Sequence, residues 1–186
     1  MTDQHPTTVP TLDPVAHETP LFGFLDRHAI NYQVHRHEPL FTVAQSQAVL
    51  AAMPGLHVKN LFLKDKNDGL WLVTCLDHRS FKVGALQKAL GAPRMSFGKP
   101  DLMREALGVT PGAVTPLAAF NDRGNHRVQV VIDSALTGPE PVNCHPLHNE
   151  ATVSLSWDGL AHFFTATGHA PKLLDFSTIE SPADAG

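Results

Sequence analysis

Val58-Lys59-Asn60-Leu61-Phe62-Leu63-Lys64-Asp65-Lys66-Asn67-Asp68-Gly69-Leu70-Trp71-Leu72-Val73-Thr74-Cys75-Leu76 is the stretch that decides the fold. Two β-rich apolar runs, Val58 to Lys64 and Leu70 to Leu76, flank a polar turn that ends in Asp-Gly, the signature of a β-hairpin. Upstream, Leu21, Phe22, Leu25, His28 and Ala29 recur at helical spacing after a Thr19-Pro20 start, and Ile30 to His35 alternates as a strand does. Thr42 then introduces an amphipathic helix over Val43 to Met53, stopped by Pro54-Gly55.

Downstream, Val83 to Leu90 and Lys99 to Leu107 read as short helices closed by Gly91 and Gly108, with a short strand at Arg94 to Phe97 between them. Val128 to Asp133 is the most β-branched run and reads as a central strand. Val142 to His145, Thr152 to Ser156 and Lys172 to Phe176 are further strands, and Trp157 to Thr167 is a helix stopped by Gly168. Strands and helices mix without strict alternation, which predicts an α+β (mixed α/β) domain with a mixed sheet rather than a doubly wound parallel one. The Thr- and Pro-rich residues 1–18 read as a flexible arm, residues 19–177 as one domain and residues 178–186 as a tail.

The chain has 186 residues and a formal net charge of -4, which excludes a protein that coats nucleic acid through bulk positive charge. A local basic patch remains open, with Arg79, Lys82, Lys88, Arg94, Lys99 and Arg104 as candidate contacts and a solvated charged face as the plain reading of most of them. Two cysteines make no disulfide framework, no basic start with an apolar run precedes them, and no apolar stretch approaches the roughly 20 residues of a membrane span. A cytoplasmic protein is expected.

Nucleophile elbows, P-loops, His-Glu-x-x-His and dinucleotide fingerprints are absent. Three constellations remain. Lys59 enters an apolar strand, where it could anchor a phosphate, act as a base if burial lowered its pKa, or simply face solvent. The loop Gly108 to Pro116 holds two glycines and two prolines, so its N–H groups could converge on developing negative charge; as a plain connection it would do nothing chemical. The segment Cys144-His145-Pro146-Leu147-His148-Asn149 offers acid–base groups or, with Cys75 and His78, a zinc set. Those spacings match no closed zinc pattern, and adjacent strand residues point Cys144 and His145 to opposite faces, against a Cys–His nucleophile pair.

Together, Lys59-Asn60-Leu61-Phe62-Leu63-Lys64-Asp65, Leu107 to Pro116, Asn121 to Asp133 and His145-Pro146-Leu147-His148-Asn149 resemble the YbaK-like family of aminoacyl-tRNA editing domains, over about residues 19 to 176. The likeness is greatest to its free-standing prolyl-tRNA editing branch, of the ProX or PrdX type. It implies a hydrolase that deacylates alanine mischarged onto proline tRNA in trans, with a small aminoacyl alternative such as cysteine, or a non-catalytic tRNA- or synthetase-binding module. The resemblance assigns Lys59, Gly112 and His145 to catalysis, His145 being taken over His148, and Asn60, Ala113, Val114, Thr115, Pro116 and Asn149 to substrate binding. It implies the acceptor end of tRNA(Pro) as partner, with prolyl-tRNA synthetase or an elongation factor beside it. No cofactor, metal, membrane or DNA is expected. The family pattern commonly has Thr where this chain has Glu150.

Overall fold

The structure, a computed structural model, describes residues 14–38 and 53–181, so all of the helix expected over Val43 to Met53 except Met53 lies outside the described residues. The chain runs α1 (Pro14–Arg27), β1 (Gln33–Arg36), β2 (Leu56–Asp65), β3 (Leu70–Leu76), α2 (Val83–Leu90), β4 (Met95–Phe97), α3 (Pro100–Leu107), α4 (Ala119–Asp122), β5 (Val128–Asp133), β6 (Val142–Cys144), β7 (Ala151–Leu155), α5 (Trp157–Thr167) and β8 (Lys172–Leu174). Single 3-10 turns cover Pro116–Ala118, Ser134–Thr137 and Phe176–Ile179.

The strands form one mixed sheet in the order β1-β7-β6-β2-β3-β5-β8, with β4 also on β2. This is the α+β architecture expected. The β2–β3 hairpin is antiparallel from Val58↔Leu76 to Lys64↔Leu70. Its turn is fixed by one side chain: the N–H groups of Asn67 and Gly69 donate to Asp65 Oδ1 at 2.8 and 2.9 Å, and Trp71 Nε1 donates to Oδ2 at 2.9 Å. Burial works against the Asp65 charge, but those donors win and hold its pKa below the usual carboxylate value.

Side-chain alternation along β2 separates two cores. Val58 and Phe62 join the larger cluster with Leu72, Leu117, Val153 and Phe163, whereas Leu61 and Leu63 join a smaller one with Trp71, Val73, Cys75, Leu86 and Phe176. Helices α1, α3, α4 and α5 cover the first face and α2 the second. Each fully buried Leu or Phe contributes about 1.5–3 kcal/mol.

Two end boundaries differ from the sequence reading. The first helix starts at Pro14, so it runs through Thr19-Pro20 instead of starting there, and Glu18, assigned to the arm, is 2 % exposed. Tertiary contacts of Glu18 override a local start signal, which is only a weak preference. At the other end the tail begins later than residue 178: Ser181 N–H donates to the Ser80 carbonyl at 2.8 Å, and Glu180 pairs with Arg79.

Candidate functional site

The edge of β2 away from β3 is shared by two short partners. Strand β6 runs parallel to it only at Leu56↔Val142 and His57↔Asn143, and β4 pairs with it only from Leu63 to Asp65. Gly55 permits the close start: its φ is +109°, and a Cβ there would collide with the Pro141 carbonyl. Beyond His57 the strands part, and residues 58–62 have no strand alongside on that edge among the described residues. Gly98 N–H covers the Phe62 carbonyl at 2.9 Å.

The opening holds a cavity of about 60 Å³ lined by His57, Val58, Asn60, Asn143, His145 and Thr152, with Asp77 and Cys144. A water needs about 10–15 Å³, so the cavity is roomy enough for one held by polar walls. His57 Nδ1 is buried and has no hydrogen bond among the described residues. Asn60 is aimed by Thr74, whose hydroxyl donates to its Oδ1 at 2.7 Å. Asn143 is held by the Ser154 hydroxyl and by the Pro54 carbonyl, to which its Nδ2 donates at 3.2 Å.

His145 follows β6 directly. Its Nδ1 lies 3.2 Å from the Ala151 carbonyl, which can only accept, so Nδ1 carries the proton and Nε2 keeps a lone pair. Burial lowers its pKa, with the Ala151 contact acting the other way and His37 and His148 adding to the lowering. The shift favours the neutral imidazole, and Nε2 has no hydrogen bond among the described residues. His148 differs. Its Nε2 donates to Glu18 Oε2 at 2.8 Å, and its Nδ1 accepts the Glu150 N–H at 3.1 Å, so both nitrogens are used. Between them, buried Leu147 sits at φ +72°, a left-handed conformation that costs a non-glycine residue of order 1–3 kcal/mol and is kept only where surroundings impose it. The Asn149 side chain has no hydrogen bond among the described residues, and it is not part of the cavity lining.

Lys59 projects from the other face of β2. Its Nζ donates to the Arg79 carbonyl and stands 5.4 Å from the centre of the Phe81 ring, opposite Cys75 in the hairpin register. The structure thus brings Asn60 and His145 to one cavity and leaves the Lys59 amine on the opposite face of β2 from Asn60. On the Lys59 side an open groove of about 930 Å³ runs past Phe81, Lys82, Lys88 and Ile179. It is far larger than the His145 cavity, whose lining includes His57, Asn60, Asn143 and Thr152.

The loop of residues 108–116 lies on the first face, where Val109 and Ala113 share a core with Cys144 and Leu147. Gly112 has φ +87° and is exposed, which a side chain would adopt only with strain. Ala113 N–H donates to the Thr110 carbonyl at 3.0 Å, and buried Thr115 caps the following turn by accepting Leu117 N–H at 3.3 Å. The Gly112 and Val114 amides donate to nothing among the described residues. Pro116 is buried at the start of that turn.

Arg79, a candidate RNA contact by sequence, is instead an interior ion pair: its Nε lies 2.9 Å from Asp133 Oδ2 and its Nη1 3.0 Å from Glu180 Oε1. The zinc set does not converge, because Cys75 packs in one core and Cys144 in the other, while His148 is bound to Glu18. Burial pushes both thiols up to about 12, Cys75 despite the opposing charge of Lys59. Sequence reasoning missed His57 and Glu18. His57 lies two residues before Lys59, just ahead of the run from Val58 to Lys64 read as a strand, and nothing local marks a nitrogen left without a partner.

The sequence profile of the aminoacyl-tRNA editing domain family matches residues 37–163. A prolyl-tRNA synthetase associated domain-containing protein 1 of Bos taurus is 41 % identical over 153 residues, covering 80 % of this chain and 88 % of that protein. A prolyl-tRNA editing protein ProX of Acetoanaerobium sticklandii is 34 % identical over 152 residues, covering 81 % and 92 %. A crystal structure described as a candidate trans-editing enzyme for prolyl tRNA synthetase superposes with a TM-score of 0.65 at 19 % identity, covering 92 % of this chain and 99 % of that one, a likeness of fold. No helix among the described residues is long and apolar enough to cross a membrane.

Proposed function

Because the chain belongs to the aminoacyl-tRNA editing domain family, we propose that it hydrolyses mischarged aminoacyl-tRNA in trans, with alanine on tRNA(Pro) as its substrate. The observation that carries this reading is the His145 imidazole, its Nε2 without a hydrogen bond among the described residues, lining a small polar cavity at the parting of β2 and β6. An aminoacyl ester is already activated, so hydrolysis needs a positioned water, donors for the oxyanion and a hold on the terminal adenosine, and no protein nucleophile. Two thiols pushed up to about 12 are in keeping with that.

In this mechanism His145 orients water in the cavity, and the open amides of Gly112 and Val114 receive the developing oxyanion. Lys59 leaves the Arg79 carbonyl to meet the phosphate or ribose of the terminal adenosine. The 2′-hydroxyl of that ribose helps aim the water. Asn60, Ala113, Thr115, Pro116 and Asn149 shape the aminoacyl site. Prolyl-tRNA synthetase and an elongation factor are the natural sources of the charged tRNA. The physical motive is discrimination: a pocket built for proline rejects smaller alanine by only about 1–3 kcal/mol of lost apolar contact, whereas a second small pocket excludes proline by size.

The test is turnover of alanyl-, cysteinyl-, seryl- and prolyl-tRNA(Pro) by the full chain. Alanyl-tRNA(Pro) is expected to be deacylated fastest and prolyl-tRNA(Pro) spared. Preference for the cysteinyl or seryl species reassigns the substrate, and binding of tRNA without deacylation of any species makes the protein a binding module.

A further inference from the structure

Glu18 lies in α1, 130 residues before His148 in sequence, yet it is 2 % exposed and grips two parts of the sheet at once. Its Oε2 accepts from His148 Nε2 at 2.8 Å, and its Oε1 accepts from Arg36 at 2.5 Å. Burial alone would raise its pKa, but the bonds to Arg36 and His148 outweigh it and hold the carboxyl below its usual value.

Both grips lead to His145. Through His148, whose Nδ1 accepts Glu150 N–H, Glu18 ties the loop that carries the left-handed Leu147. Through Arg36 it ties β1, where Arg36 pairs with Ala151, the residue whose carbonyl holds His145 Nδ1. The next residue along β1, His37, donates its N–H to the Glu150 carbonyl at 3.1 Å, and its Nε2 meets the hydroxyl of cavity residue Thr152 at 3.0 Å. A buried carboxylate with two cationic or donating partners is a costly arrangement for mere stability, since apolar packing of equal volume does as well. It does what apolar packing cannot, which is to fix a tautomer and a loop direction.

We infer that Glu18 is a positioning residue of the site, holding the His145–Ala151 segment so that the His145 imidazole presents its free nitrogen to the cavity. The inference rests on the editing reading for its kinetic consequence, though not for its structural one. Nearby groups that bear on Glu18 are Arg36, His148 and Tyr32, whose own pKa is raised by burial and then by Asp26, with Glu18 adding to it.

The experiment compares wild type, Glu18→Gln and Arg36→Met as full chains, with two readouts. The first is the nitrogen-15 signature of the His145 ring, which reports tautomer without any substrate. The second is kcat and KM on alanyl-tRNA(Pro). Expected are a single Nδ1–H tautomer in the wild type, mixed tautomers in Glu18→Gln with kcat down about tenfold and KM little changed, and a smaller change of the same kind in Arg36→Met, whose exposed side chain leaves folding intact. An unchanged His145 signature in both variants overturns the inference, as does a wild-type kcat in a variant whose only defect is a lower Tm. If the wild type deacylates nothing, the editing reading fails and the ring signature still decides the role of Glu18. If Glu18→Gln does not fold, Arg36→Met decides.

Discussion

The sheet has two halves that meet along β2, and they are built differently. On one side β2 and β3 pair over seven residues and β3 and β5 over five. On the other, β6 holds β2 by two pairs and then parts from it. In the continuous half the buried carboxylates Asp133 and Asp65 are matched: Asp133 accepts from Arg79 and from the Ala135 amide, and Asp65 accepts from three donors. In the parted half, His57 Nδ1 and His145 Nε2 have no hydrogen bond among the described residues, and residues 58–62 of β2 have no strand beside them there on that edge. Matched polar groups specify a structure, and uncommitted ones are available to a ligand.

The difference can be broken from the continuous side first. Asp133→Asn leaves Arg79, 11 % exposed at the side chain, without its buried partner, and is expected to cost about 3 kcal/mol in denaturant unfolding. Deacylation measured well below the melting point should be unchanged. A large fall in kcat with normal stability would show that this half is not merely structural.

Lys59→Ala comes next. Deacylation of alanyl-tRNA(Pro) should fall about a hundredfold, ~2.7 kcal/mol of transition-state stabilisation, with Tm little moved. Near-normal turnover would confine Lys59 to its contacts with the Arg79 carbonyl and Phe81.

A smaller effect sharpens the comparison through pH. The His145 pKa is lowered from 6.5, so the unfolded chain binds that proton more readily than the folded one. The contribution to stability is fully present above pH 6.5 and is lost as pH falls through the lowered folded value. Glu18, lowered from 4.5, behaves likewise in a window below 4.5. Melting curves from pH 7 to 3 should show both steps in wild type and lack the first in His145→Ala. The kcat profile should fall only on the acid side of 6.5. A profile that rises toward acid would require a protonated His145 and exclude its role as acceptor for water.

Smallest of all is the cysteine response. With both thiols pushed up to about 12 and buried, alkylation by iodoacetamide at pH 7.5 should leave folded protein unmodified and fully active. Rapid labelling of Cys144 alone would show that the parted half opens in solution.

Much of this was legible in the residues. The Asp-Gly turn and its two apolar runs locate the hairpin, and Gly91, Gly108 and Gly168 mark helix ends in left-handed conformations. Alternation along β2 already implies that Lys59 and Asn60 face opposite ways, as the two cores bear out. What the sequence lacks is any local mark of parallel pairing, so the two-residue contact of β2 with β6 and the opening beyond it could not be foreseen. The start of α1 was hidden for the same reason: Glu18 belongs to the fold through a partner 130 positions away. The choice between His145 and His148 also depends on long-range partners, since both sit in one hexapeptide and differ only in what their ring nitrogens meet.

That same separation has a consequence for synthesis. Strand β1 pairs with β7, and α1 reaches His148, so the first helix and strand emerge early but lack these two partners until residues 148–155 are made. At about 5–20 residues per second the 130-residue interval lasts roughly ten seconds. Throughout it Phe24, which meets both Phe120 and Phe163 in the core, lacks the second of those rings. Completion of β7 closes the fold and assembles the His145 pocket in one event, so a nascent chain released too soon lacks its outer strand and its site together.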